Sequence, residues 1–383
     1  MKRTTVTIGV AAAVAAILAA CGGHDDSGGT PPASSTPPPT TTPPSTSLLL
    51  TTNEFLKGYA EMPSDTDSPH VVNAGGLGFV AAGYLTPEAF GERLAAARSL
   101  ASGPIGANLF APQPSAGTPA GIECYAKALE PEAKHYGVQL GEPRFDDDHW
   151  AAKVEVLLDL RPDVASFTFG VPSAEECLRL REAGITVVGT ATTLPEAQTA
   201  LARGVDALAA QGPSAGGHRG TFDPAVQPAT QALDELLAEV KAAVDVPVVA
   251  AGGLMTADDV GRVLAAGAVA AQLGTAFLLS DEAGSSPVHR AALQDPQFTE
   301  TVVTRAFSGR YARGLRNRFI DEHEAEAPFG YPEIHWLTSP LRQASVRAGD
   351  PQAVNVWAGT GFRKAKAGTV ADIIAELNPS QRI

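Results

Sequence analysis

The sequence predicts an α/β protein: a TIM (β/α)8-type barrel with an atypical or missing first strand, followed by a mostly helical C-terminal subdomain. Three observations predict it. From about Gly75 onward, short apolar runs alternate with helical patterns, the signature of βα units around a parallel sheet. Three helical segments end at a glycine that leads straight into a strand, at Ala183-Gly184-Ile185, Arg203-Gly204-Val205 and Ala266-Gly267-Ala268. Glycine at that position takes the left-handed conformation and turns the chain back toward the sheet. The repetition favours a barrel, although pattern alone leaves an open sheet available. Finally, 44% of the 383 residues are hydrophobic, only 6% are aromatic and 38 are glycine, which suits close packing with many tight βα turns.

The strands are expected at 76–82, 104–110, 165–170, 186–190, 207–211, 247–251 and 269–273. Helices are expected at 86–100, 122–136, 174–182, 195–202, 229–244 and 257–265. Thr86-Pro87-Glu88 and Leu194-Pro195-Glu196 read as helix starts, with proline where no intrahelical N–H is needed. Seven strands are visible where a barrel needs eight. Residues 48–52 are a candidate substitute, with Asn53 capping a short helix after them. The other reading is an unrelated sequence joined to a truncated barrel, which would expose two sheet edges. The barrel is assigned to 48–280. The tail, 281–383, no longer alternates and is expected to be mostly helical and to cover one end of the barrel.

The first 47 residues are a different kind of sequence. Met1-Lys2-Arg3 is a positive start, followed by an apolar run over 8–20. That run is shorter than the roughly 20 residues a spanning helix needs, so residues 1–21 read as an export signal. Leu18-Ala19-Ala20-Cys21-Gly22 resembles a bacterial lipobox, which implies cleavage before Cys21 and a lipid anchor there. The alternative is a chance cysteine after an alanine-rich run. Residues 22–47, rich in Pro, Ser and Thr, read as a tether without a core. This order predicts a lipid-anchored protein on the external face of the cell membrane. A cytoplasmic location stays open if the start is elsewhere, for example at Met62.

A net charge of −14 argues against nucleic-acid binding, which needs a Lys/Arg surface to neutralise phosphates. Cys21, Cys124 and Cys177 form no CxxC pair and no zinc-type spacing with histidine, so no metal is expected. Cys124 and Cys177 fall on expected helices and read as small buried apolar residues, with a disulfide between them left open.

In parallel β/α barrels the site lies at the C-terminal ends of the strands. Four strand ends carry distinctive residues. The first ends in Ala107-Asn108-Leu109-Phe110, offering an amide to a flavin ring edge or simply capping a loop. A second runs Gln211-Gly212-Pro213-Ser214-Ala215-Gly216-Gly217-His218-Arg219-Gly220. Its paired glycines allow close backbone approach to a flat ligand, and its histidine is placed for proton transfer or for binding an anionic oxygen. The last two are Ala251-Gly252-Gly253-Leu254 and Gln272-Leu273-Gly274-Thr275, an ordered pair that suits a phosphate grip in the final βα units. The other histidines, at 24, 70, 135, 149, 289, 323 and 335, lack such context and read as surface or structural.

These motifs, with Asn73-Ala74-Gly75-Gly76-Leu77-Gly78-Phe79, Phe307-Ser308-Gly309-Arg310, Ala312-Arg313-Gly314, Asn317 and Trp357-Ala358-Gly359, resemble the nitronate monooxygenase (2-nitropropane dioxygenase) family from about Val72 to the C-terminus. The resemblance implies an FMN-dependent barrel that oxidises a small alkyl nitronate, or a nitroalkane, with molecular oxygen to a carbonyl compound and nitrite. It implies that Asn108, Gln211, Gly216, Gly217, Gly252, Gly253, Gln272, Leu273, Gly274 and Thr275 contact FMN. His218 would be the catalytic residue, binding the nitronate or taking a proton from a nitroalkane. The family's acidic residue before Ala-Gly-Gly-His is Ser214 here, and its glutamine after Trp-Ala-Gly is Thr360. Its usual first strand, with a Pro-Met turn against the flavin, is absent. Two alternatives therefore stand beside this reading: an FMN-dependent enoyl-thioester reductase-like enzyme, and a truncated barrel without catalysis.

Overall fold

The computed structural model describes residues 13–14, 49–51 and 67–379. In chain order it opens with β1 (Ala13–Val14), β2 (Leu49–Thr51), α1 (Asp67–Asn73), β3 (Gly76–Ala81), α2 (Pro87–Leu100), β4 (Ile105–Phe110), α3 (Pro119–Ala128), α4 (Glu130–Tyr136), α5 (Trp150–Leu160), β5 (Val164–Thr168) and α6 (Ala174–Glu182). It continues with β6 (Thr186–Ala191), α7 (Leu194–Ala202), β7 (Ala207–Gln211), β8 (Gly217–His218), α8 (Leu233–Ala243), β9 (Val248–Ala251), α9 (Ala257–Ala265) and β10 (Ala270–Leu273). The tail holds α10 (Pro287–Gln294), β11 (Thr301–Thr304), β12 (Ala312–Leu315), α11 (Arg318–His323), α12 (Glu333–Arg347) and α13 (Val370–Leu377).

Eight parallel strands close on themselves in the order β2-β3-β4-β5-β6-β7-β9-β10, and β10 returns to β2. The missing strand is the substitute proposed from sequence. Leu50 is in register with Leu77 on one side and Gln272 on the other. The truncated-barrel reading is thereby corrected: β2 saturates the two edges that seven strands would leave open. β1 pairs with β10 at Ala270 and Ala271 and touches β2 at Leu49. Closure does not depend on it, because β10 and β2 pair directly at Gln272–Leu50 and Leu273–Thr51. Apart from Ala13–Val14, the export signal, the lipobox at Cys21, the tether, Asn53 and His24 lie outside the described residues.

The local chemistry explains these elements. Thr86 caps α2 by accepting the Ala89 N–H, and Pro87 follows in its first turn. Ser173 with Glu176, and Thr256 with Asp259, form reciprocal capping boxes on α6 and α9. The three expected stop glycines, Gly184, Gly204 and Gly267, have φ of +84°, +92° and +93°. The Ile185 N–H reaches back to the Leu180 carbonyl at 3.0 Å and the Ala268 N–H to Val263 at 3.0 Å, the paired bonds that end a helix at glycine. Inside the barrel, Leu77, Phe79, Val188, Ala209 and Val249 pack together. Gly106 makes room for this layer, since a Cβ there would lie 2.4 Å from the Phe79 ring.

The expected helix over 122–136 is two helices. Pro131 has no N–H to donate and its ring would clash with the carbonyl four residues back, so the chain breaks at Leu129 and restarts. α5 was not expected. The tail is also not only helical: β11 and β12 form an antiparallel ribbon, and β12 pairs with β8, placing Ala312 opposite His218. Cys124 is exposed, Cys177 is on the buried face of α6, and both are free thiols, which closes the disulfide reading.

Candidate active site at the strand ends

Two sets of elements meet over the C-terminal mouth of the barrel. One comes from β9, β10 and the turn after β7. Gly252 and Gly253 have φ of +104° and +77°, values that cost a side-chain residue strain. A Cβ on Gly253 would lie 2.6 Å from Ser214 Cβ. One on Gly216 would lie 2.5 Å from the Gly359 nitrogen. Thr275 Oγ1 accepts the Gly359 N–H at 2.9 Å, and the Thr360 N–H reaches the Ser214 carbonyl at 3.2 Å. Backbone is therefore packed on backbone, and α9 starts four residues beyond Gly253.

The other set surrounds His218, which is 2% exposed. Gln211 at the end of β7 holds its turn: Oε1 accepts the Gly220 N–H at 2.9 Å, and Nε2 donates to the His218 carbonyl at 3.3 Å. The imidazole Nε2 sits 2.9 Å from Ser308 Oγ, which also lies 3.2 Å from the Arg310 carbonyl. Phe169, Tyr331 and Trp357 ring it at centroid distances of 5.7, 5.5 and 5.7 Å. Burial lowers the His218 pKa to about 3, with the Arg310 and Arg342 charges adding to the effect, so the ring is neutral at ordinary pH.

Between the two sets lies a cavity of about 600 Å³, counting space open to solvent. His218, Gln211, Gly216, Gly252, Gly253, Gln272, Leu273, Gly274 and Thr275 all line it. Gly217 lies behind the lining, at φ +73°, in the β8–β12 pairing. Asn108 also lies behind it. Its Oδ1 accepts from the Ser166 and Thr168 hydroxyls at 2.9 and 3.2 Å, and its buried Nδ2 has no partner among the described residues. Gln272 Oε1 and Thr190 Oγ1, both in the cavity wall, are likewise buried without partners among the described residues. Unsatisfied buried polar atoms are costly, so the wall is built for a ligand that supplies both donors and acceptors.

Sequence reasoning missed Thr168, Thr190, Met255, Phe169 and Tyr331. Ser308, Arg310 and Trp357 stood in recognised tail motifs, but nothing assigned them to His218. Of the dismissed histidines, His70, His135 and His149 are exposed, whereas His289, His323 and His335 are buried. One group of metal-type ligands occurs among the described residues, Glu132, Glu322 and His323. Arg318 already bonds both carboxylates and holds the Glu132 pKa down at about 2. That guanidinium fills the place a cation would take. No helix among the described residues is long and apolar enough to cross a membrane.

Comparison with known proteins agrees with this geometry. The nitronate monooxygenase family model matches residues 68–380. A probable nitronate monooxygenase of Staphylococcus aureus (strain MSSA476) is 37% identical over 319 residues, covering 80% of this chain and 89% of that protein. The crystal structure of a nitroalkane oxidase from Streptomyces ansochromogenes superposes with a TM-score of 0.79 at 45% identity, covering 84% of this chain and 95% of the other. FabK from Thermotoga maritima shares the fold, with a TM-score of 0.62 at 23% identity over 85% and 91% of the two chains.

Proposed function

The chain belongs to the nitronate monooxygenase family, and from that premise we propose that it binds FMN in the 600 Å³ cavity and oxidises small alkyl nitronates beside His218. The family assignment carries flavin-dependent oxidation of nitronates or nitroalkanes. The finer statements concern which flavin, which residues and which ionic form of the substrate.

The flavin fits the donor set. Gly252, Gly253, Gly274 and Thr275 offer a backbone cradle beside the start of α9, where a phosphate is favoured. The partnerless Gln272 Oε1 and Thr190 Oγ1 in the cavity wall suit the polar edge of an isoalloxazine, with Asn108 Nδ2 unsatisfied just behind that wall. When bound, FMN supplies the redox chemistry with oxygen that ends in a carbonyl compound and nitrite. The protein's part is positioning and charge. Gln211 fixes the turn carrying His218, and Ser308 fixes its ring. The neutral imidazole, held at Nε2 by Ser308 Oγ, is placed at the cavity wall to contact a nitronate oxygen. The buried Arg310 cation, which depresses the His218 pKa, favours an anion in the same place.

One observation separates the two substrate forms. An imidazole whose conjugate acid has a pKa of about 3 is a poor base for the weak carbon acid of a neutral nitroalkane. His218 therefore binds preformed nitronate instead of generating it. The test is a comparison of ethyl nitronate with freshly diluted nitroethane, together with identification of the heat-released flavin. Preference for the nitronate and release of FMN support the reading; equal turnover of nitroethane, or FAD, contradicts it.

Location remains the sequence-based proposal of a lipid anchor at Cys21 on the external face. Removing residues 1–20 would delete β1 but leave the β10–β2 closure in place. A mature chain starting at acylated Cys21 supports the proposal. An unprocessed N-terminus in the soluble fraction contradicts it.

A further inference from the structure

A second cavity, of about 440 Å³, lies behind the wall that His218 touches. Phe169 and Tyr331 belong to both places: each packs its ring on His218, and each lines the second cavity. Tyr84 and Phe110 complete an aromatic surface there, with Tyr84 edge-on to both Phe110 and Tyr331. The wall also carries Asp146, Asp147 and Asp148, of which Asp147 is exposed, and the side chains of Gln113 and Arg310. Gln113 donates to the Phe169 and Phe222 carbonyls and accepts from Arg310. Arg310 also donates to Thr221 and lies flat on Phe169, 3.9 Å from the ring centroid, while its buried Nε has no hydrogen-bond partner among the described residues.

The backbone around this space is strained, which is independent of its lining. Among the described residues five non-glycine positions have positive φ, and three of them line this cavity: Tyr84 at +61°, Asp148 at +56° and Phe169 at +74°. Such positions persist where the surrounding structure holds them, and they gather at ligand sites. Tyr84 is held by its N–H bond to Asp148 at 2.8 Å, and Asp148 is anchored by Lys153 at 2.7 Å.

We propose that this cavity is the side-chain subsite of the same enzyme, taking the uncharged hydrocarbon tail, aliphatic or aryl, of a nitronate whose reacting end lies at His218. The proposal rests on the nitronate reading above. The aromatic and proline part of the wall offers apolar contact to a hydrocarbon tail, and the aspartates at its other side oppose an anionic one.

The test is kcat/KM for primary nitronates from ethyl to hexyl, at fixed FMN saturation, in the wild type and in Ala111→Leu. Ala111 lines the cavity and is 7% exposed. Once the chain is long enough to pass Phe169 and Tyr331, each added methylene should raise kcat/KM by about 4-fold, and Ala111→Leu should flatten that rise. Should Ala111→Leu fail to fold, Pro224→Phe, at the less buried rim of the cavity, takes its place. Flat kcat/KM across the wild-type series, with ethyl nitronate still oxidised, overturns the subsite while leaving the function standing. A rise that survives both substitutions also overturns it, since the tail then lies elsewhere. If no nitronate is turned over at all, it is the function itself that fails.

Discussion

The two ends of the main cavity are built in different ways. The grip end is backbone: Gly216, Gly252, Gly253, Gly274 and Gly359, held by adjoining strand–turn–helix units and by two bonds from the Trp357–Thr360 turn. The His218 end is side chain, assembled from separate stretches of the chain, with Gln211 and Phe169 from the barrel and Ser308, Tyr331 and Trp357 from the tail. The difference teaches that the tail is part of the active site. Its ribbon strand β12 is the strand partner of His218, and a second apolar core of Tyr125, Phe307, Phe319, Leu337 and Trp357 holds that ribbon in place.

The strongest way to break the comparison is to place a side chain in the grip. In Gly216→Val the new atoms must displace the Gly359 and Ala358 backbone, 2.5 and 2.6 Å away. A clash costing more than about 4 kcal/mol weakens binding by about a thousandfold. The purified variant should be colourless and inactive, as read by flavin absorbance after desalting. His218→Asn acts on the other end alone. Flavin content should match the wild type, while kcat/KM for ethyl nitronate falls by about 100-fold, the usual loss when one donor to a developing or bound oxyanion is removed. Ser308→Ala sharpens the assignment further. It removes only the bond that orients the imidazole, worth about 1 kcal/mol, so kcat/KM should fall about 5-fold with flavin binding intact.

The last prediction concerns stability and leaves activity at pH 7 untouched. His218 and His289 are held at about 3, and His335 well below its ordinary value, in each case mainly by burial. Unfolded, all three titrate near 6.5. As pH falls from about 6.5 toward 3, the unfolded chain binds protons that the native chain refuses. Stability is therefore full above about 6.5 and is lost on acidification, by up to about 1.4 kcal/mol per pH unit for each histidine. Asp148, raised to about 6 by burial against the pull of Lys153, works in the opposite sense below pH 6 and offsets one of them. The urea midpoint should drop between pH 7 and pH 5, and His289→Met should make that drop shallower.

The same contrast explains what could be read from sequence. The grip was legible because each piece is contiguous: a buried strand, a glycine pair and a helix start lie within a dozen residues. The stop glycines at 184, 204 and 267 were legible because left-handed φ has few other tenants. The ring around His218 was not, because nothing local links Phe169 or Tyr331 to residue 218. Only the tertiary fold brings them within 6 Å. The tail ribbon was missed because Thr301–Thr304 and Ala312–Leu315 are short and mixed in polarity. The split at Leu129 was written in Pro131 but outweighed by the helical pattern on both sides. β2 was visible as part of the apolar run over residues 48–52, yet only pairing on both edges identifies it as a barrel strand.

The central claim is that a barrel closed by β2 holds a flavin within reach of a nitronate at His218. Its most direct test is to mix the full-length, flavin-loaded protein with ethyl nitronate in the absence of oxygen while recording the visible spectrum. Bleaching of the flavin band, with recovery of the band and release of nitrite when oxygen is readmitted, is the predicted result. A flavin band that stays unchanged under excess nitronate would contradict the account.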